Sequence, residues 1–314
     1  MHSKKETQTI RYFVEHVTTY TYSAPVAISH HAAYLSPTNS PQQTIERFRL
    51  DISPRPRDIS EHLDYFNNVR HQFSIIENHS ELTVTMLAQV QKLIRELPTA
   101  DLSPTCKEVF RFLKAPITRD AVQASEFMFA TPLTSANSEI ADYAKRFFTP
   151  NKSYLQCLID LNQEIHDTFV FDSEATDVNT PLAQFFKQKR GVCQDFAHFM
   201  IACLRSQGFS AGYTSGYLLT HPPESQARME GTDASHAWVS VHVPEIGWVD
   251  FDPTNAILVN HEHIQVARGR DYQDVAPIKG AVSGGGEQTI DIEVTVRPEW
   301  ELEELLSEKA VSEI

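Results

Sequence analysis

The spacing of hydrophobic positions divides this chain into two parts. From Ile10 to Tyr22, β-branched and aromatic residues crowd together, and Ser23-Ala24-Pro25 then interrupts them. That pattern predicts a first strand ending before Pro25. Ala32 to Leu35, Ile45 to Ile52, Val69 to Ile76 and Leu82 to Val90 predict further strands. Pro37, Pro41, Pro54, Pro56 and the pair Asn67-Asn68 punctuate them as turns. Short strands at roughly 8–12-residue spacing predict a β-sandwich-like N-terminal domain over residues 8–95.

From residue 96 the period lengthens. Leu102 to Leu113, Ser138 to Phe148 and Leu155 to Thr168 predict helices, the last with Leu155, Leu158, Ile159, Leu161 and Ile165 in helical spacing. Phe169 to Phe171 reads as extended. Pro181 to Lys189 predicts a short helix with Thr180 as its cap. Cys193 to Ser206 carries helical periodicity and stops before Gly208. Strands are predicted at Tyr213 to Thr220, His236 to Val243, Gly247 to Phe251, Ile264 to Val266 and Ile290 to Val296, with Gly284-Gly285-Gly286 as a loop. Glu299 to Ile314 reads as an acidic tail with a weak helical pattern. The expected organisation is therefore α+β. The second domain covers 96–314, with a helical lobe at about 96–190, a core at about 150–298 and the tail at 299–314.

Bulk properties narrow the function. The chain has 314 residues, which at roughly 100–200 per domain suits two domains. Hydrophobic residues make up 41% and charged residues 22%, an ordinary globular balance. No run of apolar residues is long enough to span a bilayer, and Met1 to Gln8 lacks an apolar signal region. A cytoplasmic protein without membrane contact is the expectation. The formal charge of −14 repels phosphate backbones and argues against nucleic acid as a partner. The four cysteines form no C-x-x-C pair and are too few for a disulfide framework. Cys106, Cys157 and Cys203 read as small buried hydrophobes.

Cys193 is different because of its neighbours. In Gly191-Val192-Cys193-Gln194-Asp195, the glycine permits a tight entry into the helix and the cysteine falls at its start. Unpaired N–H groups and the helix dipole favour an anion there, hence the thiolate that a nucleophile needs. The Cys193 N–H is a candidate oxyanion donor, with the Gln188 side chain as a guess for a second. His236 starts a strand, and Asp252 lies near the end of the next. If Val243 opposes Trp248, His236 opposes Asn255, and a bulge or small register change brings Asp252 to it. A thiol, a base and an acid that fixes the base's tautomer suffice for acyl transfer.

The local motifs are more specific than the spacing. Arg190-Gly-Val-Cys-Gln-Asp-Phe-Ala-His198, Ser215-Gly-Tyr-Leu218, Ser235-His-Ala-Trp238 and Gly247-Trp-Val-Asp-Phe-Asp-Pro-Thr-Asn255 together resemble the bacterial transglutaminase-like superfamily, whose members are also described as candidate cysteine proteases. His16 to Pro25 with Asp64-Tyr-Phe-Asn-Asn-Val69 resembles that family's N-terminal β domain. Gly269 to Pro277 resembles its C-terminal signature, so the resemblance runs from about residue 10 to 297. One departure is Asn67-Asn68, where the family more usually has a glycine after the aromatic.

The resemblance implies a papain-like α+β core, a helix carrying the cysteine packed on an antiparallel sheet carrying the other two residues. Its Cys-His-Asp triad carries over to Cys193, His236 and Asp252. Asp195 matches an acidic residue of the motif and reads as support for the helix start or as a group that polarises the site, and His198 as packing or a local hydrogen bond. Trp238 and Trp248 read as core aromatics, with Trp238 as a supporting candidate at the cleft. His30-His31 and His261-Glu262-His263 lack further ligands at useful spacing, so no metal or cofactor is expected. The expected reaction is hydrolysis of a peptide or amide bond in a peptide or protein substrate. Amine transfer with cross-linking, as in transglutaminases, is the alternative within the same chemistry. A catalytically silent binding or scaffold module is the alternative outside it.

Overall fold

The computed structural model describes residues 8–100, 103–178, 180–221 and 234–301. Its N-terminal part is organised by one 25-residue strand, β1 (Thr9–Ala33). β2 (Gln43–Ser53), β3 (Asp58–Leu63), β4 (Val69–Ile75) and β5 (His79–Leu93) complete the first five strands of a sheet ordered β2-β5-β1-β4-β3. The expected stop at Ser23-Ala24-Pro25 is instead a change of partner. β1 pairs β5 as far as Thr21, shifts register, and pairs β4 from Ser29 to Ala33. Pro25, which has no N–H to give, sits in the gap between these ladders, where none is required. β1 thus runs through the whole N-terminal β domain, whose seven strands form one hydrogen-bonded sheet. β3 was not legible in the pattern because every one of its residues is exposed.

The helical part follows with α1 (Cys106–Lys114), α2 (Arg119–Glu126), α3 (Ser138–Lys145) and α4 (Tyr154–Thr168). Thr105, Thr118, Asn137 and Ser153 cap them, each accepting from a first-turn N–H. α2 escaped the sequence reading because it buries only Ala121 and Ala124. Next come β6 (Val170–Phe171), α5 (Leu182–Gln188), β7 (Arg190–Gly191) and α6 (Cys193–Ser206). Pro181 takes the cap position of α5 in place of Thr180, a one-residue difference. α6 is buried from Gln194 to Arg205, which makes it the central helix of the core.

It packs on an antiparallel sheet of β8 (Ala211–Leu218), β9 (Ala234–Val243), β10 (Gly247–Asp252), β11 (Ile257–Leu258) and β12 (His263–Gly269), ordered β11-β10-β9-β8-β12. A short helix, α7 (Tyr272–Val275), leads back to the first sheet. There β13 (Ile278–Gly284) and β14 (Gln288–Pro298) both pair antiparallel with β1. Residues 278–298 thus belong to the N-terminal sheet, a correction to their expected place in the catalytic core. Local pattern cannot reveal this, since the partner strand lies more than 240 residues away. Gly284, Gly285 and Gly286, all with positive φ, make the bulge that joins β13 to β14 end to end along β1, opposite Ser23 to Pro25. The expected tail over 299–314 lies outside the described residues beyond 301.

Two side-chain amides fasten the sheets together. Gln43 gives its Nε2 to the Gln265 carbonyl at 2.8 Å and takes the Gln265 N–H at 2.9 Å. Asn68 does the same with Arg268, at 2.8 Å in each direction. Each amide thus pairs with β12 as a strand residue would. No described helix is long and apolar enough to cross a membrane.

Candidate active site

The start of α6 is built around its third residue. Val192 occupies the cap position and has no side-chain oxygen to offer. Asp195 supplies the missing acceptor from inside the helix, taking the Val192 N–H at 2.9 Å and the Thr176 hydroxyl at 2.6 Å. Burial raises the Asp195 pKa despite these two donors. Gly191 must be glycine here, because a Cβ would lie 2.6 Å from the Asp195 carboxylate and 2.8 Å from Phe185. The result sets Cys193 at the first helical position, where its N–H has no intrahelical acceptor. Cys193 is partly exposed, while Cys106, Cys157 and Cys203 are buried.

The β9–β10 hairpin carries the other two residues. Its ladder pairs Val243 with Gly247 and Val239 with Phe251, one residue off the sequence register. The turn explains the shift: Pro244 is followed by Glu245 at φ 71°, and Gly247 at φ 96° opens the return strand. Continued, this register sets Asp252 level with Trp238 and diagonal to His236 on one face, without a bulge. His236 Nε2 donates to Asp252 Oδ2 at 2.8 Å.

Asp252 is completely buried and held from several directions. Oδ2 also takes Nε2 of His263 at 3.2 Å and Nδ2 of Asn255 at 2.7 Å. Oδ1 takes the N–H groups of Thr254 at 3.0 Å and Asn255 at 3.2 Å. Burial alone would raise its pKa, but the bonds from His236 and His263 outweigh burial and hold it well below the carboxylate range. Burial likewise opposes the His236 imidazolium. Its interactions with Asp252 and Cys193 prevail and push its pKa up to about 10. His263 moves the other way, lowered by burial in spite of Asp252. His236 and Cys193 line one cavity of about 190 Å³.

Residues 141–253 match the model of the transglutaminase-like superfamily, and residues 12–91 match the bacterial transglutaminase-like N-terminal region. An uncharacterized protein of Mycobacterium tuberculosis is 36% identical over 303 residues, covering 92% of this chain and 93% of its own. The chain belongs to the transglutaminase-like superfamily. An uncharacterized protein of Mycobacterium leprae is 32% identical over 287 residues, covering 90% of this chain and 97% of its own. The crystal structure of a candidate cysteine protease from Cytophaga hutchinsonii aligns with a TM-score of 0.74 at 17% identity. It covers 93% of this chain and 91% of that one, so the two share a fold.

The remaining sequence candidates of this transglutaminase-like chain fall in different places. Gln188 is not brought to Cys193: its Nε2 is held by the Arg190 carbonyl at 2.8 Å. Trp238 is fully buried and does not line the Cys193 cavity. Its Nε1 donates to Asp250 at 3.3 Å, and its ring meets His263 edge-on at 5.3 Å. His198 takes the Tyr272 N–H at 3.1 Å, a structural bond.

His263 and Asn255 are the residues that sequence reasoning missed. Asn255 lies inside the quoted motif, three residues from Asp252. His263 reaches Asp252 only because β12 folds back beside β8, so no local signal announces it. His236, Asp252 and His263 are also the one group of metal-ligating side chains among the described residues, with ligand atoms within 4.8 Å of one another. An ion bound there would displace the proton between His236 and Asp252.

Proposed function

We propose that this transglutaminase-like protein is a cysteine hydrolase that cleaves a peptide or amide bond through an acyl-enzyme on Cys193. The observation that carries the reading is the His236–Asp252 pair, 2.8 Å apart and buried, opening onto the cavity that holds Cys193. The Cys193 sulfur, as thiolate, forms a bond to the acyl carbon. The carbonyl π electrons move to oxygen beside the Cys193 N–H. The tetrahedral species collapses, the carbon–nitrogen bond breaks, and the amine leaves with the proton held by His236. Water then gives its proton to His236 and attacks the thioester, and the acid departs as the sulfur recovers its electrons. Asp252 fixes the imidazole so that Nε2 faces the carboxylate, leaving Nδ1 for the reacting groups.

The test is a fluorogenic peptide library, assayed with native protein and Cys193→Ala and paired with incorporation of a fluorescent primary amine. Cleavage that Cys193→Ala abolishes is the expected result. Amine incorporation without hydrolysis would reassign the acceptor. Neither activity, with Cys193 no more reactive than a free thiol, would favour the scaffold reading.

A further inference from the structure

Two of the four cysteines meet in the helical lobe. Cys106 opens α1 and Cys157 lies one turn into α4, and their Sγ atoms share a hydrogen bond at 3.5 Å. We propose that Cys106 and Cys157 are a modification site: under oxidising conditions they join in a disulfide that staples the start of α1 to α4. The inference is independent of the hydrolase reading.

Three observations carry it. The first is the frame around the pair. The Cys106 N–H donates to the Lys152 carbonyl at 3.1 Å, the Tyr154 N–H to the Pro104 carbonyl at 2.9 Å, and the Leu155 N–H to Ser103 Oγ at 3.0 Å. These bonds hold the two backbones side by side. Closing from 3.5 Å to the ~2.05 Å of an S–S bond therefore falls to the side chains. The second is the place of the thiols in the chain. They are 51 residues apart, and the loop they would close holds α1, α2 and α3, of nine, eight and eight residues. Helices shorter than about 12–15 residues are marginal by themselves. A cross-link over such a loop takes conformational freedom from the unfolded lobe. The third is chemistry. The Cys106 S–H, helped by the nearby Lys152 ammonium, lowers the Cys157 pKa against burial, and the same bond raises that of Cys106. Cys157 is thus the thiolate of the pair, and exchange begins with a thiolate.

The oxidant is a small-molecule disulfide. The Cys157 thiolate attacks one of its sulfurs, forming a mixed disulfide and releasing one thiolate. Cys106 then gives up its proton and attacks the Cys157 sulfur, releasing the second. The protein loses two electrons, the small disulfide is reduced to two thiols, and the protons go to them. Both cysteines are buried in the folded chain, so the exchange takes place as the lobe folds or opens locally. α4 runs on to His166, whose Nδ1 donates to the Thr254 carbonyl at 2.8 Å, in the turn that holds Asp252. The staple therefore braces the helix behind the proposed triad.

The test uses the full chain carrying Cys193→Ala, which removes the partly exposed thiol. It is brought to equilibrium in glutathione buffers from reducing to oxidising, once from folded reduced protein and once by refolding from denaturant. Samples are quenched with N-ethylmaleimide in denaturant and read by intact mass and peptide mapping. In oxidising buffer the expected product has Cys203 alone alkylated and one linked peptide containing Cys106 and Cys157. The oxidised form is expected to unfold about 5 °C above the reduced form. Cys157→Ser in the same background should show no rise on oxidation. Alkylation of all three cysteines at the oxidising end by both routes would overturn the inference, as would a link through Cys203. An oxidised form that melts no higher than the reduced one would overturn the staple.

Discussion

Asp252 shows how a single residue is fixed for its task. Each carboxylate oxygen is held by more than one donor, and the donors come from the turn between β10 and β11, from β9 and from β12. His263 is a positioning residue, because it acts on the reacting thiol only through Asp252. His263→Asn is expected to lower kcat/KM about tenfold, since hydrogen bonds to charged groups contribute about 1.5–3 kcal/mol and Asn255 still holds Oδ2. It should also move the alkaline limb of the pH–rate profile, a shift that lost packing alone would not produce.

The pKa shifts make a stability prediction with a definite sign. His236 is raised from 6.5 to about 10. Its contribution to stability is full below about pH 6.5 and is lost as the pH climbs through about 10. Asp252 is depressed, so its contribution is present above its ordinary value and is lost only as the pH falls well below it. Thermal unfolding of the native protein should therefore weaken between pH 7 and 10 more steeply than that of Asp252→Asn. Parallel curves would show that His236 is not held protonated by Asp252. Cys193, His236 and Asp252 stand in short motifs and were candidates from the sequence. His263 was not, because its role depends on where β12 returns in space.

At the scale of the element, α6 and the β9–β10 hairpin carry the residues of the proposed triad, and each element was found from its pattern. What the pattern could not supply was the register, and it left the Asp195 cap as one of two readings. The hairpin register turns on the left-handed conformations of Glu245 and Gly247, and Glu is an uncommon residue there. The cap is Asp195, which works from the third helical position because Val192 has no acceptor. Asp195→Ala is expected to cost about 1 kcal/mol of stability, the usual range for a lost helix cap, and to slow alkylation of Cys193. Asp195→Asn, which keeps an acceptor oxygen, should recover most of both. Chemical denaturation and iodoacetamide kinetics measure the two effects. An alanine variant that loses stability but alkylates at the native rate would separate the cap from the chemistry.

At the scale of the molecule, residues 278–298 return to the first strand. β13 and β14 return to pair with β1, so the N-terminal sheet cannot be completed by the N-terminal third of the sequence. Residues 8–95 produced alone should be insoluble or unfolded by circular dichroism, because β1 would lose one side of its ladder along both halves. A folded, soluble fragment would show that the returning strands are dispensable. The sequence pattern identified most strands of this sheet but assigned the last pair to the wrong body, since pairing over such a distance leaves no local trace. The Gln43 and Asn68 amides, which complete β12 from the other body, were hidden for the same reason. Gln43→Ala and Asn68→Ala should each cost about 1–3 kcal/mol by leaving buried β12 groups without partners.

The central claim is that Cys193 becomes acylated during turnover. Rapid acid quench with a peptide or activated-ester substrate, followed by intact and peptide-level mass spectrometry, tests it directly. The predicted result is a transient mass increase equal to the acyl group, located on Cys193, absent in Cys193→Ala and longer-lived in His236→Ala if that variant acylates at all. Turnover with no adduct on Cys193, or an adduct on Cys106, Cys157 or Cys203 instead, would contradict it.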